Sequence, residues 1–408
     1  MPTCELITIG SELLNGSALN TNAQFLARRV SELDVDVIYQ VSCRDREEEI
    51  LDTLARAFKR SDLIIATGGL GPTPDDITRQ TIAKFFRCAL KFDSDQYRHI
   101  VHYFKTIHRS TPYMTRQEAF LPEVAKPLLN RFGIALGFYV EKNGKLLVVL
   151  PGVPRELIKM YESKVGKLIK RKFNDRIHSY VLEVRIGGLN EPQIMRKLGS
   201  SFFRNRVFDF GIYPEIGEVT VRIKSKDKRL ISILHRELAK KLAPSIYSFE
   251  GKSLSSVIGE KLTRKGSTLA IAESCTGGLL AGRITDVPGA SRYFKGGSVV
   301  YSNQIKHDML GIPKELIAER GAVSKEVAKA MAEAVRSRLK ATLGIAITGI
   351  AGPAGGTRTK PVGLVFIAIS DPKKTSAFRF QFAGDRAKIR IQATQKALLL
   401  LWEWLTQR

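Results

Sequence analysis

Residues 268–284 read TLAIAESCTGGLLAGRI, and this stretch decides the fold of the C-terminal part of the chain. An apolar strand runs into a turn of small residues and then into a helix. This order is typical of an α/β domain, in which ligands bind at the loops that follow the strands. Ser274 lies at the junction, where it can present its hydroxyl away from the sheet. Free backbone N–H groups at the helix start can stabilise an anion there.

A serine hydroxyl is a weak nucleophile until a base removes its proton. His307 is the only histidine after residue 250, so no Ser-His-Asp set is apparent. In GGSVVYSNQIK (296–306) a predicted strand ends at Tyr301, and Lys306 follows. A lysine of lowered pKa can act as general base, and a tyrosine hydroxyl can relay or orient the proton. Ser274, Tyr301 and Lys306 are therefore a candidate catalytic triad. Taken singly, Ser274 also fits a helix N-cap, and the other two fit surface or packing roles.

The third segment, LGIAITGIAGPAGGTRTKPVGLVFIAI (343–369), predicts a strand ending at Thr348, a loop rich in glycine and proline, and a returning strand. Glycines in such a loop permit positive φ angles and close approach of the backbone to a ligand, so the loop can cradle a phosphate. A plain turn between strands is the alternative. Arg386 and Arg390 can supply positive charge to a phosphate or carboxylate, although unpaired surface arginine is the commoner case.

The whole chain has 408 residues, which exceeds what one hydrophobic core usually organises. The first 90 residues alternate apolar strands with amphipathic helices, which predicts a parallel sheet covered by helices. A strand-rich pattern with two helices follows before the C-terminal stretch. We therefore expect a multidomain α/β protein. Its expected parts are a parallel-sheet α/β domain (1–165), a small α+β connecting domain (166–250) and an α/β/α domain (251–408).

Composition indicates the solubility, the cellular location and the ligand class that we expect for the protein. The hydrophobic content of 44% is ordinary, and no apolar run reaches the length of a membrane span, so we expect a soluble protein. The N-terminus lacks the pattern of a signal peptide, and the four cysteines suggest neither disulfides nor a zinc site, which favours the cytoplasm. The net charge of +25 should attract phosphate-bearing ligands, RNA or acidic surfaces. A solvated basic face is the commoner explanation of such a charge.

Several C-terminal motifs together resemble the C-terminal domain of the CinA family, the nicotinamide mononucleotide deamidases also called PncC: AESCTGG (272–278), DVPGASRYFKGG (286–297), VVYSN (299–303), GAVS (321–324), TGIAGPAGG (348–356) and KPVG (360–363). The resemblance implies a serine amidohydrolase of pyridine nucleotide recycling. Such an enzyme converts nicotinamide mononucleotide to nicotinic acid mononucleotide and ammonia without a cofactor. It also implies a homodimer.

The resemblance assigns roles to individual residues. Ser274 would be the nucleophile, Lys306 the general base and Tyr301 its partner. We expect backbone donors in 275–278 to form the oxyanion hole. Cys275 has no histidine partner and is interpreted as a buried small residue. The predicted substrate-binding residues are Thr276, Gly277, Thr348, Gly349, Gly352, Gly355 and Arg390.

Three N-terminal stretches resemble the N-terminal domain of the same family, which is related to molybdopterin-binding domains: ITIGSELLNGSALNTNAQFLAR (7–28), ATGGLGPTPDDITRQTIA (66–83) and VLPGVPREL (149–157). The resemblance implies an ADP-ribose pyrophosphatase that depends on a divalent metal and potassium. A glycine-rich turn after a strand can wrap a phosphate, and paired carboxylates can hold a hard cation. The predicted nucleotide-binding residues are Glu12, Thr67, Gly68, Gly69, Gly71, Asp75 and Asp76. Asp75 and Asp76 are also the predicted metal ligands, with helix N-capping as their alternative.

This chain departs from the family pattern at three N-terminal places. Ser11 stands where the family usually has aspartate, and Pro74 stands where it often has histidine. The loop 130–137 reads NRFGIALG in place of Asn-Pro-x-Gly-Thr-Ala-Pro-Gly. These changes weaken the prediction of pyrophosphatase activity, and nucleotide binding without turnover is its alternative. A basic nucleic-acid-binding scaffold stays open as a further alternative, although the chain lacks interleaved aromatic and basic motifs.

Overall fold

The computed structural model describes residues 1–173 and 179–407, in two compact units, Met1–Ser179 and Tyr180–Arg408. Each unit has its own sheets and cores. The second unit contains both the small α+β sheet and the C-terminal sheet. The multidomain α/β class predicted from the sequence is confirmed, whereas the division into three domains stays a prediction. In the described part of the chain, no helix is both long and apolar enough to cross a membrane.

The first unit is built on one six-stranded sheet in the order β2-β1-β3-β8-β7-β6, with a small β4-β5 pair beside it. Its strands are β1 (Thr3–Ile9), β2 (Asp36–Cys43), β3 (Leu63–Thr67), β4 (Leu90–Phe92), β5 (Phe120–Pro122), β6 (Lys126–Leu128), β7 (Gly137–Lys142) and β8 (Lys145–Leu150). Its helices are α1 (Ser11–Leu14), α2 (Thr21–Ser31), α3 (Glu47–Arg60), α4 (Thr78–Phe86), α5 (Ser94–Thr106), α6 (Pro154–Met160) and α7 (Gly166–Phe173).

The central strands of this sheet are parallel and buried on both faces, because helices cover both sides. Strands β7 and β6 add an antiparallel edge that the sequence analysis did not anticipate. The signal for it was the Asn143-Gly144 pair between β7 and β8. Both residues have positive φ angles (50° and 76°), as a tight two-residue hairpin turn requires.

The second unit begins with a four-stranded antiparallel sheet in the order β10-β11-β9-β12. Its strands are β9 (Tyr180–Gly187), β10 (Asp209–Glu215), β11 (Glu218–Ser225) and β12 (Ile246–Ser248), and its helices are α8 (Glu191–Leu198) and α9 (Lys228–Leu242). The sheet contacts α15 (Arg386–Thr406) of the same unit through both polar and apolar side chains. The amide of Gln395 donates to Glu218 of β11 (2.9 Å), and the rings of Tyr247 and Trp402 lie 6.2 Å apart between centroids. Within the sheet, the hydroxyl of Tyr247 donates to the same Glu218 carboxylate (2.6 Å).

The C-terminal sheet has the order β14-β13-β15-β16-β17, with β14, β13 and β15 parallel and the last two strands antiparallel. Its strands are β13 (Leu269–Glu273), β14 (Phe294–Val299), β15 (Leu343–Gly349), β16 (Leu364–Ser370) and β17 (Thr375–Gln381). The helices are α10 (Leu254–Arg264), α11 (Leu279–Thr285), α12 (Asn303–Leu310), α13 (Lys314–Arg320), α14 (Lys325–Arg338) and α15 (Arg386–Thr406).

Side-chain size differs between the two faces of this sheet. Leu269 and Ile271 of β13 face the core formed with α10, α11 and α15, whereas Ala270 and Ala272 face the core formed with α12–α14. Small side chains on the second face allow α14 to approach closely. A Cβ added at Gly344 would lie 2.2 Å from the carbonyl oxygen of Ala332 in α14. The alternation along β13 therefore sets the predicted α/β/α layering and places the turn after β13 at the carboxyl edge of the sheet.

Candidate active site

Ser274 follows the last residue of β13, in the turn that leads to α11. Its amide donates to the carbonyl of Ile347 in the neighbouring strand (3.0 Å), and its own carbonyl accepts from the amide of Gly277 (3.1 Å). Gly277 and Gly278 both have positive φ angles (61° and 94°), which glycine adopts without strain. The small residues of this turn thus bend the chain sharply and hold Ser274 at the end of the sheet.

Lys306 lies in α12, a helix that Ser302 caps by accepting from the amide of Ile305. Its side chain is only 1% exposed. The Nζ atom lies 3.2 Å from Ser274 Oγ and donates to the carbonyl oxygens of Val300 (3.0 Å) and Tyr301 (3.1 Å). Burial lowers the pKa of Lys306, because desolvation penalises the charged amine. The structure therefore brings the predicted nucleophile and the predicted base into direct contact.

Tyr301 contacts Lys306 through its backbone and not through its hydroxyl. Side chains on a helix lean toward its N-terminus, so the amine of Lys306 reaches back to the carbonyls that precede α12. The side chain of Tyr301 is half exposed, and its hydroxyl accepts a hydrogen bond from Arg386 Nη2 (2.6 Å). The predicted proton relay through this hydroxyl has no hydrogen bond to support it among the described residues.

Glu273 occupies one of the backbone donors predicted for the oxyanion hole, the amide of Gly278, together with two amides further along the chain. Its carboxylate accepts from the amides of Gly278 (3.0 Å), Leu280 (3.1 Å) and Ala281 (2.8 Å). The amide of Gly277 is also paired, as described above. Within the described residues, the amides of Cys275 and Thr276 donate to no other residue. The candidate oxyanion donors of the turn therefore narrow from four to these two.

Glu273 was not among the predicted site residues, although the sequence contains a signal for it. A carboxylate at the buried end of an apolar strand, directly before a turn that starts a helix, needs hydrogen-bond donors, and unpaired helix amides are the nearest supply. Cys275 is buried as expected. Burial raises the pKa of its thiol to about 11, so the thiol stays protonated near neutral pH and is a poor nucleophile.

A cavity of about 240 Å³ opens in front of Ser274 and Lys306. The glycine-rich loop after β15 forms one wall, with Thr348, Gly349, Gly352 and Gly355 from the predicted substrate-binding set. Arg386 lies on the lining and donates to the carbonyl of Gly352 (2.8 Å) as well as to Tyr301. Thr348 is buried, and its hydroxyl donates to the carbonyl of Ala322 (2.9 Å). Asn303, which the sequence analysis did not single out, also lines this cavity.

The other predicted substrate-binding residues support the nucleophile turn and are not part of the cavity lining. Arg390 Nη2 donates to the carbonyl of Thr276 (2.8 Å). The same atom would lie 3.2 Å from a Cβ added at Gly277. The hydroxyl of Thr276 and the Nε of Arg390 are buried and have no hydrogen-bond partner among the described residues. In the structure Arg390 therefore contacts the turn at Thr276 and Gly277, and the substrate contacts of these three residues stay a prediction.

The first unit has a smaller cavity, about 140 Å³, at the carboxyl ends of β1 and β3. Glu12 and Thr67 of the predicted set line it, together with neutral polar side chains: Thr8, Asn20, Thr21 and Asn22. The Nδ2 of Asn22 donates to the carbonyl of Gly152 (2.7 Å), while its buried Oδ1 has no partner among the described residues. This lining offers uncharged hydrogen-bonding groups and one carboxylate.

The glycine-rich loop of the first unit closes on itself. Gly68 and Gly69 have positive φ angles (109° and 64°), and a Cβ at Gly68 would lie 2.0 Å from the carbonyl oxygen of Ile9. A Cβ at Gly71 would meet the carboxylate of Asp76 at 2.6 Å. These glycines are not part of the cavity lining. The structure therefore uses them for backbone packing between β1, β3 and the following loop.

The predicted metal ligands do not fit a resident metal ion. Asp76 accepts from the amide and the hydroxyl of Thr73, so its carboxylate caps the turn. Asp75 is exposed. In the described part of the chain, no three His, Cys, Asp or Glu side chains converge into a ligand group. We therefore derive no step through a metal.

A buried charged pair that the sequence analysis missed lies near this loop. Arg79 is 1% exposed and donates to the carbonyls of Leu70 and Gly71. Glu118 is fully buried, and neither of its carboxylate oxygens has a hydrogen-bond partner among the described residues. Burial raises the pKa of Glu118 to about 7, and Arg79 partly offsets this effect. Only tertiary contacts bring the two residues near each other, so no local sequence signal marks them.

Both parts of the chain match known protein families. Residues 251–405 match the family described as "CinA C-terminal domain", and residues 5–171 match the "Probable molybdopterin binding domain". The "Putative competence-damage inducible protein" of Caldanaerobacter subterraneus subsp. tengcongensis is 40% identical over 411 residues, covering 99% of this chain and 98% of its own. A "CinA-like protein" of Dictyoglomus thermophilum is 37% identical over 401 residues, 97% of each chain.

Solved structures of similar proteins cover part of this chain. A competence/damage inducible protein from Agrobacterium tumefaciens is 38% identical, covers 38% of this chain and 94% of its own, and has a TM-score of 0.37. A CinA superfamily protein from Klebsiella pneumoniae is 31% identical, covers 38% and 97%, and also has a TM-score of 0.37. Because relatives match over almost the entire length and both regions match family descriptions, this chain belongs to the CinA family.

Proposed function

We propose that the C-terminal part of this protein is a serine amidohydrolase that converts nicotinamide mononucleotide to nicotinic acid mononucleotide and ammonia. One observation carries the proposal. The buried amine of Lys306 lies 3.2 Å from Ser274 Oγ, at a cavity that Arg386 also lines. A serine hydroxyl beside a buried lysine of lowered pKa is an activated nucleophile, because the neutral amine can accept its proton. The choice of substrate within this reaction class follows the family resemblance.

The reaction begins when the neutral amine of Lys306 accepts the proton of Ser274 Oγ. The oxygen attacks the carboxamide carbon, and the amides of Cys275 and Thr276 stabilise the negative charge on the former carbonyl oxygen. The ammonium of Lys306 then donates its proton to the departing nitrogen, the C–N bond breaks and ammonia leaves. The carbonyls of Val300 and Tyr301 hold the amine in place throughout.

The second half of the reaction releases the acid. A water molecule attacks the Ser274 ester while Lys306 accepts one of its protons. The C–O bond to the serine breaks, Ser274 Oγ recovers that proton from Lys306, and the nicotinate product departs. The guanidinium of Arg386 supplies positive charge at the cavity lining, where an anionic phosphate can pair with it.

Purified full-length protein tests this proposal with nicotinamide mononucleotide as substrate, by measuring ammonia and identifying the acid product. Ser274→Ala should lose ammonia release while keeping the fold. Ser255→Ala is the matched control, because Ser255 is also a buried serine but lies in α10, away from the cavity. Near-normal turnover by Ser274→Ala would overturn the assignment of the nucleophile.

For the N-terminal unit we propose nucleotide binding without hydrolysis. The polar cavity that Thr67 and Glu12 line supports binding, and the engaged carboxylate of Asp76 argues against metal-assisted turnover. Incubation with ADP-ribose, Mg²⁺ and K⁺ tests this. Calorimetric binding without product supports the proposal, and release of AMP and ribose phosphate would establish the pyrophosphatase alternative.

Three further expectations remain predictions with direct measurements. Sedimentation equilibrium tests the homodimer implied by the family resemblance. A gel shift with RNA or DNA at physiological salt tests the basic scaffold alternative, because non-specific phosphate contacts weaken steeply with salt. Fractionation of cells tests the expected cytoplasmic location.

A further inference from the structure

Glu273 is the last residue of β13 and is only 1% exposed. Its Oε2 atom accepts from the amides of Gly278 and Leu280, and its Oε1 atom accepts from the amide of Ala281. No basic side chain in the described part of the chain forms an ion pair with it. The carboxylate thus takes all of its partners from the backbone that follows Ser274, which fixes that backbone relative to the end of β13.

The main chain of Glu273 reaches the other half of the site. Its carbonyl oxygen accepts from the amide of Val300 (2.8 Å), and the carbonyl of Val300 in turn accepts from Lys306 Nζ (3.0 Å). One residue therefore joins the turn that carries the nucleophile to the strand end that holds the amine. Glu273 itself is not part of the cavity lining, so it does not touch the substrate position.

We propose that Glu273 is a positioning residue for the chemistry at Ser274. By binding the amides of Gly278, Leu280 and Ala281, its carboxylate holds the turn in the shape that leaves the amides of Cys275 and Thr276 free for an oxyanion. This inference rests on the proposed function, because it concerns the same site. Its expected kinetic signature is a loss of kcat with little change in KM, since the interaction shapes transition-state donors and not substrate contacts.

Loss of the carboxylate leaves three amides without an acceptor. Unpaired amides in a water-poor environment seek other partners, so the turn should re-form around different hydrogen bonds. A displacement of about 1 Å between nucleophile and base is enough to cost on the order of 100-fold in rate. Glutamine keeps one acceptor oxygen and the side-chain volume, so it should restore part of the geometry.

The experiment uses the full-length chain with Glu273→Ala, Glu273→Gln and the control Ser253→Ala. Ser253 caps α10 in the same part of the fold by accepting from the amide of Ser256, and it is not part of the cavity lining. The first readout is kcat and KM with nicotinamide mononucleotide. The second is the rate at which a fluorophosphonate probe labels Ser274, with formation of the Oγ–P bond, loss of fluoride and transfer of the serine proton to Lys306.

We expect Glu273→Ala to lower kcat and the labelling rate by about 100-fold, with KM within about threefold of the parent value. Glu273→Gln should lie between the parent and Glu273→Ala, and Ser253→Ala should keep both rates even if it melts earlier. If Glu273→Ala does not fold, Glu273→Gln carries the test, with an expected loss of about 10-fold.

Labelling separates this proposal from the choice of substrate. If the parent releases no ammonia from nicotinamide mononucleotide but labels at Ser274, and the Glu273 variants label more slowly, the substrate is wrong and the positioning role stands. Folded Glu273 variants that label at the parent rate would overturn the positioning role. Absence of Ser274 labelling in the parent would overturn it too.

Discussion

The turn after β13 and the turn after β3 look alike in sequence and differ in what their polar groups do. Each follows a buried strand, and each contains two adjacent glycines with positive φ angles. After β13, the acid Glu273 binds backbone amides, and Ser274 lies beside a buried amine. After β3, the hydroxyl of Thr67 donates to the carbonyl of Pro151 (2.8 Å), and Asp76 caps its own loop.

This difference shows what a strand followed by a glycine turn does and does not indicate. The pattern predicts a sharp turn at the carboxyl edge of a sheet in both units. Chemistry depends on which hydroxyls, amines and amides remain unsatisfied after folding. The C-terminal turn keeps Ser274, Cys275 and the amine of Lys306 at one cavity. In the first unit, the hydroxyl of Thr67 is paired with the carbonyl of Pro151, and the carboxylate of Asp76 is paired within its own loop.

The largest expected effect comes from removing the amine. Lys306→Met fills the same space without a base and should lower kcat by at least about 10⁴-fold, because nucleophile and base act as one unit. Steady-state ammonia release measures the loss. Lys261→Met is the matched control, since Lys261 is a partly buried lysine in α10 outside the cavity. The double variant with Ser274→Ala should be no slower than either single variant, and additive losses would contradict the coupling.

The next largest expected effect is the pH dependence of kcat/KM, which the C-terminal site should show because it contains Lys306. Lys306 works only as the free amine, so kcat/KM should rise about tenfold per pH unit below its pKa and then level off. Burial lowers the pKa of Lys306, so the plateau should begin below the range of an ordinary lysine. Rates measured from pH 6 to pH 10 test this. A profile that falls as the pH rises would contradict the assignment of the base.

Glu118 gives the first unit a smaller pH effect of opposite sign: stability falls as the pH rises, whereas the rate at the C-terminal site increases. In the unfolded chain it ionises near pH 4.5, but burial raises its folded pKa to about 7, with Arg79 lowering it and Asp76 and Glu156 raising it. The stabilising contribution of protonated Glu118 is therefore fully present below pH 4.5 and is lost as the pH rises through about 7. Glu118→Gln should remove this loss and gain up to about 3 kcal/mol at pH 8.

Hydrogen exchange of the β3 amides measures that effect at pH 5 and pH 8. Exchange rates are first corrected for their intrinsic pH dependence. Exposed Glu123 gives the control variant Glu123→Gln, which should keep the parent's pH dependence. If Glu118→Gln also keeps it, the carboxylate of Glu118 is not the group responsible.

The smallest expected effect distinguishes a cap from a metal ligand. Asp76→Ala should destabilise the first unit by about 1 kcal/mol, because it removes the acceptor for Thr73. Asp75→Ala should change stability by less than about 0.5 kcal/mol, because Asp75 is exposed. The same exchange experiment measures both. Added Mg²⁺ should protect the parent no more than the variants, and selective protection of the parent would indicate a metal site.

Sequence reasoning reached the fold class and the pairing of Ser274 with Lys306, because both depend on local patterns and on motifs that resemble a known family. It did not predict that Lys306 contacts Tyr301 at the backbone carbonyl, because a motif identifies residues and not the atoms that form a contact. The predicted substrate contacts of Arg390 and Gly277 stay predictions, and the structure adds a contact that no motif indicates, from Arg390 to the carbonyl of Thr276 beside Gly277. Glu118 and Arg79 are 39 positions apart in the chain, so only the folded structure relates them.

Helix α15 connects the cavity to the small antiparallel sheet of the same unit. Arg386 in its first turn reaches the cavity, and Gln395 nine positions later binds Glu218 at the start of β11. At about 1.5 Å and 100° per residue, these side chains are about 13 Å and two and a half turns apart. Deleting a single residue between them would rotate one relative to the other by about 100°, so both contacts could not be kept. The number of residues in this stretch of α15 is thus constrained by two sets of contacts at once.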